Sequence, residues 1–189
     1  MSPLSSDDWA ALVQIARRAI SGAVLQARIL ELPPYPATLG VSRGAFVTLY
    51  NSGRLRGCVG QVENPGALAD VVARSAINAA LYDSLFFPVG AEELAALDIE
   101  LSVLSAIEPI AAEAVVPGRH GLMVIRESYR GILLPQVAAE RRWSGRQLLE
   151  ETCAKAGLPR DAWRDPETQV LGFTAEVFSE TRFRTIPNP

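Results

Sequence analysis

With 189 residues, 49% of them hydrophobic and 21% charged, the chain has the balance of an ordinary globular protein and can bury a core without disulfide or metal staples. A net charge of -3 and a pI near 5.3 argue against sequence-independent nucleic-acid binding, which runs on phosphate neutralisation. Two cysteines are too few for a disulfide framework, and no apolar run approaches the ~20 residues of a membrane span.

In chain order, Ser5 and Asp8 have the spacing of a capping box. Behind it Trp9, Leu12, Val13, Ala16, Ile20, Ala23, Val24 and Ala27 recur at helical spacing and predict a helix to about Leu30. Its opposite face, with Gln14, Arg17, Arg18, Ser21 and Arg28, is expected to be wet. A polar opening that leads straight into an amphipathic helix does not read as a signal peptide, so a cytoplasmic location is expected. Pro33, Pro34 and Pro36 then force an extended crossing. Ala45 to Tyr50 reads as a strand, Asn51-Ser52-Gly53 as a turn, and Leu55 to Val59 as the returning arm. Within that arm Arg56 and Cys58 are expected on one face and Leu55, Gly57 and Val59 on the other.

Asn64 and Pro65 read as N-cap and first residue of a second helix, whose contact face holds Leu68, Val71, Val72, Ser75, Ala76 and Ala79. A loop closes at Phe86-Phe87-Pro88, and Glu92 to Leu97 predicts a short helix. Ile99, Leu101 and Val103 alternate with polar residues as in a half-buried strand. Ile107 to Arg119 reads as irregular, followed by a hairpin around Glu127-Ser128-Tyr129 and a helix from Pro135 through Trp143. A further helix buries Leu148, Leu149, Thr152, Cys153 and Ala156 and ends at Gly157, and Thr168 to Glu180 predicts one long final strand. Strands arriving as hairpins with helices between them favour an α+β fold, an antiparallel hairpin-rich sheet with flanking helices.

Cys58 is the leading candidate for chemistry. It stands in Leu55-Arg56-Gly57-Cys58-Val59-Gly60, and the flanking Gly57 and Gly60 leave its sulfur sterically open. Arg56, two residues away, would favour the thiolate. The competing account is a buried structural cysteine packed as a small hydrophobe. Cys153, on an apolar helix face, takes that account outright. His120 is the only histidine and the only imidazole base on offer, in a Pro/Gly loop where a solvated role is the bland alternative. Glu140 and Gln136, one helical turn apart, would line a pocket together or face water together. Lys155, the only lysine, reads as a cation at a helix C-terminus. One histidine and two distant cysteines exclude a standard structural zinc site, and no iron–sulfur spacing, Walker loop or dinucleotide fingerprint appears. No cofactor is expected, no metal ligand is named, and no loop announces a carboxylate-held Mg²⁺ or Ca²⁺, which stays open.

Leu55-Arg56-Gly57-Cys58-Val59-Gly60 resembles the signature hexapeptide of the AMMECR-type domain family. Pro117-Gly118-Arg119-His120-Gly121-Leu122, Leu133-Leu134-Pro135-Gln136-Val137-Ala138 with Glu140, and Cys153-Ala154-Lys155-Ala156-Gly157-Leu158 are similar to later stretches of the same family, in order. The family commonly carries an Asp-Pro-Arg-Phe-like stretch where this chain has Asp83-Ser84-Leu85-Phe86. The resemblance implies a single AMMECR-type domain over residues 1–189, with a larger and a smaller lobe around a cleft. It also implies a likeness to component A of the AmmeMemoRadiSam system, found beside a Memo-like protein and a radical SAM protein.

Three readings of function follow. The first is an accessory or binding component that acts with Memo-like and radical SAM proteins through a Cys58-containing cleft holding a small molecule or peptide, with Arg56, Gly57, Gly60 and Gln136 as ligand contacts. The second is a thiol-dependent enzyme with Cys58 as nucleophile, His120 as base and Glu140 as an orienting group. The third, nucleic-acid binding, requires arginines gathered on one face.

Overall fold

The computed structural model describes residues 3–26, 34–62 and 66–180. The chain divides into two compact units, one made of residues 1–103 with 176–189 and the other of residues 104–175.

The first unit opens with helix α1 (Ser6–Gln26), started as the sequence predicts: the Ser5 amide donates to Asp8 Oδ2 at 2.9 Å and the Asp8 amide donates to Ser5 Oγ at 3.2 Å. Reciprocal capping of this kind satisfies two of the helix's orphan donors. The expected extension to Leu30, with Arg28 and Pro33, lies outside the described residues. Leu12, Ile15, Ala16, Ala19 and Ile20 form the buried stripe. Arg17 corrects the expectation of a uniformly wet outer face. Its guanidinium donates to both Glu180 oxygens, at 2.7 and 2.5 Å, and to the Leu97 carbonyl at 2.7 Å.

Strands β1 (Ala45–Asn51) and β2 (Arg54–Gln61) form the predicted hairpin. Ser52 and Gly53 both take positive φ, 52° and 76°, which matches the right-handed twist of the flanking arms. Helix α2 (Leu68–Leu81) follows, with Ala67 as its cap. It therefore starts later than the Asn64-Pro65 reading, and those two residues lie outside the described ones. The Leu68 amide is instead satisfied by the Val41 carbonyl at 2.9 Å. The short helix expected near Glu92 is a 3₁₀ turn, Ala91–Ala96, and β3 (Leu97–Leu104) is the alternating strand.

The first sheet is antiparallel where β1 meets β2 and β3, in the order β2-β1-β3-β8, with β8 (Ala175–Ser179). One face carries Val47, Leu49, Ile99, Leu101 and Val103 into a core shared with α1 and α2. The Trp9 and Phe178 rings stack at 5.3 Å.

The second unit holds the sheet β4-β7-β5-β6: β4 (Glu108–Pro109), β5 (Gly121–Arg126), β6 (Tyr129–Leu133) and β7 (Gln169–Phe173). Helix α3 (Pro135–Glu140) stops short of Trp143 because Arg142 turns to φ +54°. Ser144 and Gln147 then cap α4 (Gly145–Lys155), which ends at Gly157 with φ +78°. Leu122, Leu148, Leu149, Val124 and Cys153 are buried around this helix. The single long final strand is corrected to two, β7 and β8, in different sheets. The break is at Thr174, whose amide donates to Ser105 Oγ and whose carbonyl accepts from the Ser105 amide, both at 2.9 Å.

Candidate functional site

Cys58 lies on β2, an edge strand of the first sheet, and is exposed. Its register depends on a bulge. Tyr50 pairs with Leu55 but Leu49 pairs with Gly57, so Arg56 is the extra residue. Such an insertion reverses the side-chain parity of everything beyond it. Leu55, paired with Tyr50, therefore shares the face of Thr48 and Cys58, a correction to the expected grouping with Gly57 and Val59. Leu55 is accordingly exposed.

The shift sets Cys58 opposite Thr48, which is opposite Glu100 on β3. Cys58 Sγ and Thr48 Oγ1 are 3.3 Å apart, a hydrogen-bonding distance for sulfur. The Cys58 amide points away from β1 and donates to Asp83 Oδ2 at 2.8 Å. Asp83 accepts a second bond, from the Leu85 amide, at 2.9 Å. One carboxylate thus caps the open edge of β2 and shapes the loop after α2.

Arg56 is engaged by Glu93 and by the loop backbone. Its guanidinium grips Glu93 with two bonds of 2.8 Å and donates to the Phe87 carbonyl at 2.8 Å and the Pro88 carbonyl at 3.2 Å. The Arg56 bonds, the Gly90 amide and Asn51 together hold the Glu93 carboxyl down from 4.5 to about 2. The same pairing pushes the Arg56 guanidinium up.

The two glycines serve packing. A Cβ on Gly57 would sit 2.1 Å from the Ala79 carbonyl oxygen of α2, and one on Gly60 would sit 2.3 Å from the Phe46 ring. Strand and helix approach so closely because both contact residues are small.

The same loop displays its apolar side chains outward. Leu85 is 82% exposed and Phe87 90% exposed, with Tyr82 just before them at 72%. Single exposed apolar residues are common on protein surfaces. These three occur within six residues of chain, on a segment fixed at both ends to the Cys58 strand.

The other predicted site residues belong to the second unit. His120 ends a tight turn in which its amide donates to the Val116 carbonyl at 2.9 Å and its Nδ1 accepts from the Val116 amide at 3.1 Å. The neutral ring accordingly carries its proton on Nε2. His120 lines a groove of about 260 Å³ with Glu108, Pro109, Ile110, Phe173 and Thr174 among its neighbours. Gln136 and Glu140 share α3, Glu140 exposed, and neither lines that groove. Cys153 is buried, and desolvation pushes its thiol up. No group of His, Cys, Asp and Glu suited to a metal ion occurs among the described residues. No helix of the described residues is long and apolar enough to cross a membrane.

The structure thus brings Thr48 and Asp83 to Cys58, two residues the sequence reading did not select. Thr48 was readable by counting outward from the turn, had the bulge been known; Asp83 had no local signal beyond a polar residue after a helix end.

The AMMECR1 family model matches residues 13–178. A protein of Methanothermobacter thermautotrophicus is 44% identical over 187 residues, covering 95% of this chain and 97% of its own length. A protein of Thermococcus gammatolerans is 43% identical, covering 92% of this chain and 91% of its own. The crystal structure of the uncharacterized protein PH0010 from Pyrococcus horikoshii superposes with a TM-score of 0.87 at 39% identity, covering 93% of each chain.

Proposed function

The chain belongs to the AMMECR1 family, and from that premise we propose that it is a protein-binding accessory component whose docking face is strand β2 with the loop of residues 82–88. The observation that carries this reading is the pinned apolar loop. Leu85 and Phe87 stand out from a backbone held by Asp83 and by Arg56, whose own position is locked by Glu93. A segment already held in shape loses little conformational freedom on binding. Burying a leucine and a phenylalanine side chain contributes roughly 1.5–3 kcal/mol each. The partners proposed are the Memo-like and radical SAM proteins that the family resemblance implies. In this reading Cys58 is a contact residue at the centre of the face.

The test is binding of the purified chain to Memo-like and radical SAM proteins from the same genome, measured by calorimetry. Leu85→Asp with Phe87→Asp should weaken binding at least tenfold and leave the unfolding temperature unchanged, while Cys58→Ala should retain it. Wild-type affinity in the double variant would remove the reading.

A second reading, a thiol-dependent enzyme with Cys58 as nucleophile and His120 as base, draws on the exposed sulfur and its Thr48 contact. It has less support. Arg56 is neutralised by Glu93, and the His120 nitrogen able to accept a proton is occupied by the Val116 amide. Rapid alkylation of Cys58 by iodoacetamide at acidic pH would favour this reading over the first.

A further inference from the structure

The groove at His120 has the makings of a site of its own, independent of the Cys58 strand and of the docking reading. Strand β7 runs through it. Glu108 stands opposite Gly172 on one side of β7, and His120 directly precedes Gly121, which is opposite Phe173 on the other. Neighbouring strands lie about 4.8 Å apart and the two positions are offset by two residues along β7, so the two side chains rise from backbone positions about 12 Å apart across the groove.

Their hydrogen-bonding capacities are complementary. The Glu108 carboxylate, an acceptor, makes no hydrogen bond or ion pair among the described residues. His120 offers a donor, because its Nδ1 is committed to the Val116 amide and the proton stands on Nε2. Ser105 at the same groove is already spent: its hydroxyl donates to the Ala106 carbonyl at 2.8 Å and accepts from the Thr174 amide at 2.9 Å. Pro109, Ile110 and Phe173 supply the apolar wall. A volume of about 260 Å³ is below the range of drug-sized pockets, roughly 300–1,000 Å³, and suits a ligand the size of one amino-acid residue.

We propose that this groove binds an α-ammonium group joined to an amide, the chemistry shared by a peptide N-terminus and a free amino-acid amide. The ammonium pairs with Glu108, the carbonyl oxygen accepts from His120 Nε2, and a small apolar side chain lies against Ile110 and Phe173. His120 is here a binding residue that stays protonated on Nε2 throughout.

The experiment titrates the intact chain with leucinamide, with a leucyl-glycyl-glycine tripeptide, and with the N-acetylated form of each, following amide chemical shifts. The first two compounds should give saturable shifts at residues 105–110 and 172–174, with a millimolar dissociation constant for ligands of this size. Acetylation should abolish them. Glu108→Gln, a change at an exposed position, should weaken binding about tenfold, the loss expected for one charge-assisted hydrogen bond. Glu113→Gln, outside the groove, should not. Saturation by the tripeptide alone would identify a peptide N-terminus as the source, and saturation by both would extend the site to free amides. Equal binding of the acetylated compounds, unchanged affinity in Glu108→Gln, or absence of saturable shifts in the groove would overturn the proposal.

Discussion

Replacing Gly57 by alanine tests why the strand of Cys58 lies where it does. The added methyl would stand 2.1 Å from the Ala79 carbonyl oxygen and 3.1 Å from its carbonyl carbon. Both are backbone atoms in the last turn of α2, so no rotamer change relieves the clash. An ordinary carbon–oxygen contact requires the strand or the helix to retreat by about 1 Å, which loosens the packing of Val59 and Ala79 as well. Overpacking with forced backbone shifts costs about 1–3 kcal/mol, and a clash against main chain belongs at the upper end. At 2–4 °C per kcal/mol for a chain of this size, the unfolding temperature should fall by roughly 6–12 °C. Urea titration of Gly57→Ala beside Gly40→Ala is the assay, since nothing lies within 4 Å of a Cβ at Gly40. Gly40→Ala should be neutral or slightly stabilising. If both variants unfold at the wild-type midpoint, Gly57 is there for a ligand rather than for the helix, and the packing argument fails.

Glu93 sets a pH dependence. Its folded-state value of about 2 lies below its ordinary 4.5, so its contribution is present above pH 4.5 and is lost as pH falls toward 2. It amounts to at most about 3 kcal/mol, and urea unfolding between pH 5 and 2.5 should show a shallower decline in Glu93→Gln than in the wild type. Alkylation of the native chain at pH 8 should modify Cys58 alone, with Cys153 reacting only in denaturant; equal rates would contradict its burial. Glu180→Ala strips partners from Arg17 and from the buried Ile99 amide, and should cost about 2–4 kcal/mol by calorimetry. Thr48→Val, which keeps the shape and removes the contact to sulfur, should change the alkylation rate of Cys58 while the unfolding temperature moves by less than about 3 °C.

The helices and the alternating strands were legible because period and caps are local. Ser5 with Asp8 marks the start of α1, Gly157 marks the end of α4, and Ile99, Leu101 and Val103 announce which side of β3 is buried. Features that depend on pairing were not legible. Nothing in Leu55-Arg56-Gly57 tells that Arg56 is skipped by the ladder, yet that one residue decides whether Thr48 faces Gly57 or Cys58. The end of β7 at Thr174 depends on Ser105, which lies 69 residues away in the chain. At the candidate site, the position of Cys58 was readable and its company was not. Arg56 finds Glu93 on a separate turn, and Asp83 reaches the Cys58 amide across 25 residues.

The order of the strands also bears on synthesis at the ribosome. The first sheet is completed by β8, whose residues emerge only after all of residues 104–174 have been made. Until then β3 has an unpaired edge, and Arg17 and Arg43 wait for Glu180 and Glu176. The inserted segment can fold as soon as it leaves the exit tunnel, whereas the segment translated first must remain incomplete. A nascent chain stalled before Glu176 is therefore expected to engage chaperones through that bare edge, and a truncation that removes Glu176 to Glu180 should destabilise the first unit far more than its length suggests.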